Sequence, residues 1–104
     1  MTDHARRMVV TVRSQAERDI AEALDYYMEE DSPASAMRFV DAVEAAYPAI
    51  RESPYRYPAD RDGIRQKPIQ GFPFSVLYSI KGGEIVVFSV RHHKRKPGFW
   101  RKRL

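Results

Sequence analysis

The chain is 104 residues long, contains no cysteine and carries a formal net charge of +4. This length accommodates one domain, and the lack of cysteine excludes disulfides and thiolate metal sites and favours a reducing compartment. The longest apolar run, Ile85 to Val90, is too short to span a bilayer, and residues 1–7 are too polar to form the core of a secretion signal. These features predict a cytoplasmic protein without a membrane segment.

Charge is distributed unevenly along the chain. Residues 14–52 contain ten acidic and three basic residues, whereas residues 61–104 contain eleven basic and two acidic residues. Such a division predicts one surface that repels polyanions and another that attracts them. The alternative, that each half simply carries a solvated face, stays open at this point.

Residues 1–7 are expected to form a flexible tail, and residues 8–104 a single domain. The first ordered element is predicted to be a strand from Met8 to Arg13, because this segment is short, apolar and rich in β-branched residues. Ser14 and Glu17 then have the spacing of a capping box, in which each side chain binds the backbone amide of the other residue. This predicts a helix directly after Ser14, with Ser14 as its N-cap.

Two helices are predicted in succession. The first ends near residue 30, and Ser32 followed by Pro33 has the pattern of an N-cap and a first helical residue for the second. Pro48, in the last turns of the second helix, is expected to kink it or end it early. Because the link is short, the helices should form an antiparallel hairpin. The apolar stripes follow the 3.6-residue period and comprise Ala16, Ile20, Ala23, Leu24 and Tyr27 in the first helix and Ala36, Phe39, Val40, Val43, Ala46, Tyr47 and Ile50 in the second.

The second half of the chain predicts a turn-rich connector and three strands. The connector covers residues 53–63 and contains several prolines. Gly82 and Gly83 predict a two-residue hairpin between the last two strands, since both can adopt positive φ. The strands are expected at residues 64–69, 74–80 and 84–93. The fold class is therefore α+β, with the order β-α-α-β-β-β, a mainly antiparallel sheet, a helical hairpin on one face and a short C-terminal helix or tail.

Alternation along these strands predicts which side of the sheet faces the helices. One apolar set should pack against the helical hairpin: Val76, Tyr78, Ile80, Val86, Phe88 and Val90. The opposite set is polar and mostly basic, and it predicts an uncovered basic sheet face made of Arg65, Lys67, Ser75, Ser79, Ser89, Arg91 and His93.

The element order and the C-terminal residues resemble the RelE/ParE superfamily of toxins. ParE-like members commonly end in a hydrophobic strand followed by a pattern of the type His-x-x-Arg-x-Pro-x-x-Trp. This sequence meets the pattern with His92, Arg95, Pro97 and Trp100. Gly63-Ile-Arg65, Phe72-Pro-Phe and Val76-Leu-Tyr78 also resemble the family's middle strands. The likeness covers about residues 9–103 and favours the ParE-like branch.

This resemblance implies the toxin of a type II toxin–antitoxin system, which inhibits growth and is neutralised by a cognate antitoxin in a hetero-oligomer. It also implies one of two targets. ParE-like members poison DNA gyrase, whereas RelE-like members are endoribonucleases that cleave mRNA on the ribosome. A nucleic-acid-binding module without toxicity is the alternative outside the family. ParE-like gyrase poisoning is favoured, and the chain would then not be an enzyme.

An endoribonuclease needs groups that move protons and stabilise phosphorane charge. The candidates are Arg65, Arg91 and His93, which the predicted strand alternation places on one face, with His93 as the proton carrier. Arg65 corresponds roughly to the RelE family's middle-strand arginine. RelE also uses a C-terminal tyrosine, whereas this tail offers Phe99 and Trp100, which cannot transfer a proton. This departure argues against nuclease activity.

The basic C-terminal segment is the predicted target-binding surface. Its residues are Arg91, His93, Lys94, Arg95, Lys96 and Arg101, an arrangement suited to nucleic acid or to an acidic protein surface. His92 faces the helices by strand alternation and is predicted to be structural, as are Pro97 and Trp100. His92 and His93 point to opposite faces, which argues against a shared metal ion. No cofactor or metal is expected.

Overall fold

The computed structural model of the chain describes residues 8–94, and residues 1–7 and 95–104 lie outside the described part. Two helices and a four-stranded sheet form a two-layer α+β fold, as predicted. The predicted N-terminal tail and C-terminal helix or tail fall outside the described residues. The elements in chain order are β1 (Val9–Val12), α1 (Ser14–Glu30), α2 (Pro33–Glu52), β2 (Arg65–Pro68), β3 (Phe74–Lys81) and β4 (Glu84–His92).

The two helix starts differ in how they are capped. Ser32 accepts a hydrogen bond from the Ser35 amide at 3.1 Å, which confirms the predicted N-cap of α2. The capping box predicted for α1 is wrong, because Ser14 is already helical and Arg13 occupies the N-cap without a side-chain hydrogen bond. The backbone carbonyl of Arg13 instead accepts from the Glu17 amide at 3.1 Å.

Pro48 does not end α2, which continues to Glu52. Proline lacks an amide hydrogen, so it cannot donate to the carbonyl one turn earlier. The buried stripe of α2 nevertheless continues on both sides of Pro48, with Ala46 and Ile50 at 3% and 0% exposure. Packing of this stripe against the sheet therefore outweighs the lost hydrogen bond.

The sheet has the strand order β1-β4-β3-β2, and β1 pairs with β4 in parallel while the other pairs are antiparallel. The predicted mainly antiparallel sheet is confirmed. Gly82 and Gly83 form the two-residue hairpin between β3 and β4, with φ of 56° and 78°. Both values require the left-handed region that glycine adopts without strain.

The helical hairpin packs on one face of the sheet and encloses the main core. Phe39 lies at its centre, with its ring centroid 5.3 Å from those of Phe72 and Phe74 and 5.4 Å from that of Tyr27. These aromatic contacts fix the turn between β2 and β3 against the hairpin. The fully or largely buried members are Ala16, Ala23, Phe39, Val43, Ala46, Ile50, Ile69, Val76, Tyr78, Ile85, Val87 and Val90.

A bulge in β4 changes the face assignment that simple alternation predicts. Val87 is in register with Tyr78 and Ser89 with Leu77, so Phe88 is one additional residue in β4. The core residues of β4 on the helix side are consequently Ile85, Val87 and Val90. The prediction that Val86 and Phe88 face the helices is wrong, since regular alternation cannot cross a bulge. The prediction holds for Val76, Tyr78 and Ile80 of β3 and for Val90.

The face away from the helices is not the uncovered basic surface that alternation predicted. Ile64, Leu77 and Phe88 form a second apolar cluster there, at 2%, 0% and 2% exposure. Ser75 and Ser79, predicted on this face, are buried as well, and Ser89, also predicted there, is buried and donates its hydroxyl hydrogen to Asp19 of α1. The centre of this face is therefore apolar and inaccessible, and the basic side chains near it lie at the margins: Arg91 and His93.

Candidate functional site

The end of β4 brings together two of the residues predicted from sequence. Arg91 is in register with Ser75 of β3, on the face away from the helices. The His93 Nε2 atom lies 3.0 Å from the Ser75 hydroxyl, and the His93 amide donates to the Pro73 carbonyl at 2.9 Å. An Arg91 guanidinium nitrogen donates to the His93 carbonyl at 3.3 Å. The hydrogen bonds made by Arg91 and His93 hold the basic end of β4 in one geometry.

Lys94 follows directly and is exposed at the end of the described chain. Its backbone amide donates to His92 Nδ1 at 3.0 Å, so the imidazole orients the first residues beyond the strand. Lys94, Arg91 and His93 present basic side chains at this end of the sheet. The other predicted target-binding residues lie outside the described part of the chain: Arg95, Lys96 and Arg101. The same holds for Pro97 and Trp100, which were predicted to be structural.

His92 faces the helix side of the sheet, as predicted for a structural residue. Its ring contacts Phe74 edge to face, with 4.9 Å between the ring centroids. Burial lowers the pKa of His92 below the usual 6.5, and the nearby positive charges of Lys94, His93 and Arg91 lower it further. The neutral ring is also the form that accepts the Lys94 amide hydrogen at Nδ1. The hydrogen bond from the Lys94 amide to Nδ1 therefore connects the end of β4 to the His92 ring.

Arg65 does not lie at the β4 end but at the start of β2. It is in register with Tyr78, which belongs to the core on the helix side, so the expected shared face with Arg91 and His93 is wrong. Its guanidinium donates to the backbone carbonyl of Tyr57 and, at 3.3 Å, to that of Tyr55. Lys67, also predicted on the far face, is in register with Val76 and lies on the helix side too.

The misassignment has a simple physical origin. Ile64 and Ile69 flank β2, but Ile64 belongs to the far-side cluster and Ile69 to the main core. Residues 64 and 69 have opposite parity, and the pattern alone does not show which of them faces the helices. The structure brings Arg91 and His93 together but does not bring Arg65 to them.

Burial and hydrogen bonding define the environment of Tyr78. Its hydroxyl donates to the Pro54 carbonyl at 2.7 Å, which ties the connector after α2 to the centre of the sheet. Burial raises the pKa of Tyr78 to about 12, although the positive charge of Arg65 acts in the opposite direction. Tyr78 and Arg65 together fix the backbone of residues 54–57 against β2 and β3, which is a structural rather than a proton-transfer arrangement.

Asp19 is a buried carboxylate that the sequence reasoning missed. It is 7% exposed, and its Oδ2 atom accepts from the Val90 amide at 3.0 Å and from the Ser89 hydroxyl at 3.2 Å. These donors lie directly after the β4 bulge, where the regular ladder is interrupted. A signal was present, because Asp19 is three residues after Ala16 and four before Ala23 on the buried stripe of α1.

The helical hairpin carries a separate groove of about 180 Å³. Apolar side chains line it, and the carboxylates of Glu17 and Glu44 lie at the same place. Tyr47 is half-buried there, and its pKa is raised, first by burial and then by Glu17 and Glu44. The apolar lining residues are Val12, Ile20, Val40, Val43 and Tyr47. This groove therefore combines accessible apolar surface with negative charge, the opposite of the β4 end.

Residues 8–94 offer neither a metal-binding cluster nor a membrane-spanning helix. This part of the chain contains no group of three or more histidine, aspartate or glutamate side chains that could hold a metal ion. Neither α1 nor α2, the helices of the described ranges, is long and apolar enough to cross a membrane.

Comparison with known proteins identifies the family. Residues 10–97 match the model of the ParE toxin of the type II toxin–antitoxin system, parDE. A solved structure described as the chromosomal ParDE TA system from P. aeruginosa matches with a TM-score of 0.74 at 20% identity, over 84% of this chain and 97% of that chain. The sequence has no match among curated proteins. The structural match establishes the shared fold, and the family match covers most of the chain, which confirms the predicted ParE-like branch. The chain belongs to the ParE toxin family of type II toxin–antitoxin systems.

Proposed function

We propose that this ParE-family toxin inhibits bacterial growth in the cytoplasm by poisoning DNA gyrase, and that a cognate antitoxin neutralises it in a toxin–antitoxin hetero-oligomer. The family match over residues 10–97 is the observation that carries this proposal. Gyrase is the target that resemblance to the ParE-like branch implies. The basic end of β4, continued by the basic residues after Lys94, is the surface proposed to contact the target.

The separation of Arg65 from Arg91 and His93 supports gyrase over mRNA as the target. Cleavage of RNA requires proton transfer and charge stabilisation at one phosphate, so its side chains must converge. Here Arg65 lies on the helix side with its guanidinium bound to backbone carbonyls, while Arg91 and His93 lie at the margin of the other face. The three residues therefore do not converge as RNA cleavage would require.

The hairpin groove is the proposed contact surface of the antitoxin. Binding energy in protein interfaces concentrates where apolar anchors enter buried pockets, and rim charges contribute less. The groove between α1, α2 and β1 exposes apolar side chains beside Glu17 and Glu44. An antitoxin segment with apolar anchors flanked by basic residues would complement it. In this arrangement, antitoxin binding and target binding use different surfaces of the toxin.

Controlled expression tests the proposal at the level of the cell. Induction of residues 8–104 alone should stop bacterial growth, and co-expression of the neighbouring reading frame should restore it. Gyrase poisoning should also produce DNA-damage signalling and filamentous cells, and gyrase should co-purify with the toxin. Normal growth with confirmed soluble expression would contradict the toxin assignment.

A further inference from the structure

A compact group of aromatic and basic side chains lies where the connector after α2 meets β2, and the proposed target and antitoxin surfaces do not use it. We call it the connector patch. The Arg65 guanidinium carbon lies 5.1 Å from the Tyr55 ring centroid, and the Arg56 guanidinium carbon and Lys67 ammonium lie 5.8 and 5.7 Å from that of Tyr57. Its members are Tyr55, Arg56, Tyr57, Arg65 and Lys67.

The patch is accessible and positively charged. Tyr55 is 61% exposed, so its ring is accessible to a ligand. Within the described residues, Arg56, Arg65 and Lys67 form no ion pair with a carboxylate. No carboxylate therefore contacts these three cations directly, and each cation lies close to an aromatic ring.

The backbone beneath the patch is held rigidly. The Arg65 guanidinium donates to the carbonyls of Tyr55 and Tyr57, and the Tyr78 hydroxyl donates to the Pro54 carbonyl at 2.7 Å. The Asp60 carboxylate accepts from the amides of Asp62 and Ile64 at 2.8 and 2.9 Å, which fixes the turn leading into β2. An exposed aromatic ring on a fixed backbone loses little conformational entropy when a ligand stacks on it.

Exposed rings beside uncompensated cations are the features by which proteins bind unpaired nucleic acid. The bases stack on aromatic faces, and the cations contact the phosphates. We infer that the connector patch binds single-stranded nucleic acid, with an unpaired base stacked on Tyr55 and phosphates beside Arg56 and Lys67. This site is separate from the β4 end, so the chain has two positively charged surfaces rather than one.

The test must separate stacking from simple charge attraction, because the basic C-terminal segment would attract any polyanion. We therefore propose fluorescence-anisotropy titration of the full chain with three labelled oligonucleotides of equal length. These are single-stranded DNA, its RNA counterpart and an abasic strand with the same number of phosphates, each titrated at two salt concentrations. Duplex DNA is the fourth ligand, since its bases are not available for stacking.

The variants are matched by exposure. Tyr55→Ala removes the ring of the patch, whereas Tyr26→Ala removes a ring that is 59% exposed on the acidic hairpin. Tyr55→Phe retains the stacking face without the hydroxyl. The inference predicts that the chain prefers strands with bases to the abasic strand, and that Tyr55→Ala reduces this preference about tenfold, the effect of one stacked base. Tyr26→Ala and Tyr55→Phe should leave it unchanged.

Preference for DNA over RNA, or the reverse, would identify the sugar that the patch accepts, and either supports the inference. Equal affinity for the normal and abasic strands would overturn it, because charge alone would then explain the binding. A preference that survives Tyr55→Ala, or tighter binding of duplex than of single strands, would overturn it as well. Circular dichroism of each variant would show that the fold is retained.

Discussion

The helical hairpin and the end of β4 differ in charge, surface chemistry and rigidity. Residues 14–52 are strongly acidic, and their accessible feature is an apolar groove flanked by Glu17 and Glu44. The β4 end is basic, and its backbone is held by Ser75, His92 and His93 through hydrogen bonds. One region therefore offers apolar anchoring sites, and the other offers fixed positive charge.

This difference indicates how a small toxin can meet two partners. A groove of apolar side chains provides affinity through burial, whereas exposed cations provide attraction to polyanions or acidic surfaces. If the two functions occupy separate regions, substitutions should separate toxicity from antitoxin binding.

Charge reversal at the basic end should have the largest effect. The triple variant Lys94→Glu, Arg95→Glu and Lys96→Glu should abolish growth arrest, because it replaces the positive surface with a negative one. The fold should be retained, because substitutions of charged surface residues usually change stability by only about 0.5 kcal/mol each. Growth curves after induction and urea unfolding measure the two properties.

The matched control reverses three exposed bases elsewhere: Arg18, Arg51 and Lys81. This control should still arrest growth, and both triple variants should still bind the antitoxin. A β4-end variant that folds normally and still arrests growth would refute the assignment of toxicity to this region.

Removal of the buried carboxylate should destabilise the fold without touching either proposed surface. Asp19→Ala leaves the Val90 amide and the Ser89 hydroxyl without their acceptor at the bulge, a loss of about 1–3 kcal/mol in the free energy of unfolding. Asp25→Ala removes an exposed carboxylate of the same helix and serves as control. Equal unfolding free energies for the two variants would show that Asp19 does not stabilise the bulge.

A groove variant should weaken antitoxin binding and leave toxicity intact. Val40→Ala removes two methyl groups, each worth about 0.8 kcal/mol when buried, so antitoxin affinity should fall about tenfold. Met37→Ala is the control, since Met37 lies on the same helix, is 59% exposed and is not part of the groove. Calorimetric titration with the antitoxin measures both, and an unchanged affinity in Val40→Ala would place the antitoxin elsewhere.

The pH dependence of stability should show a smaller effect from His92. The pKa of His92 is lower in the folded state than the usual 6.5, so the unfolded chain binds the proton more readily. The contribution of His92 to folding stability is therefore complete above pH 6.5 and is lost as the pH falls through the folded-state pKa. Urea unfolding across this range should give a shallower pH dependence for His92→Asn, and identical profiles would exclude His92 as the titrating group.

Much of the fold was predictable because local signals agreed with packing. Each of three local signals determines one structural feature. They are the capping serine Ser32, the glycine pair at residues 82–83 and the apolar stripes of both helices. The start of α1 was predicted to within one residue, although the capping box does not form. The prediction of an early end of α2 at Pro48 was wrong, because burial of the residues around Pro48 outweighs one lost hydrogen bond.

The site was less predictable because it depends on which face of the sheet each strand presents. The bulge at Phe88 shifts the alternation of β4 by one residue, and no local pattern in the continuous apolar run marks it. Arg65 was assigned to the wrong face since its carbonyl partners belong to a connector whose path the sequence does not specify. Arg91, His92 and His93 were placed correctly because they lie beyond the bulge, where alternation resumes.

A DNA cleavage assay with purified gyrase tests whether this chain poisons that enzyme. Supercoiled plasmid is incubated with gyrase, ATP and the full toxin chain, then treated with detergent and protease to release trapped double-strand breaks. If the chain poisons gyrase, linear DNA should form only when both gyrase and toxin are present. Adding the antitoxin first should prevent its formation. Unchanged gyrase activity, together with toxin-dependent cuts in translated mRNA that are lost in His93→Ala, would contradict gyrase poisoning.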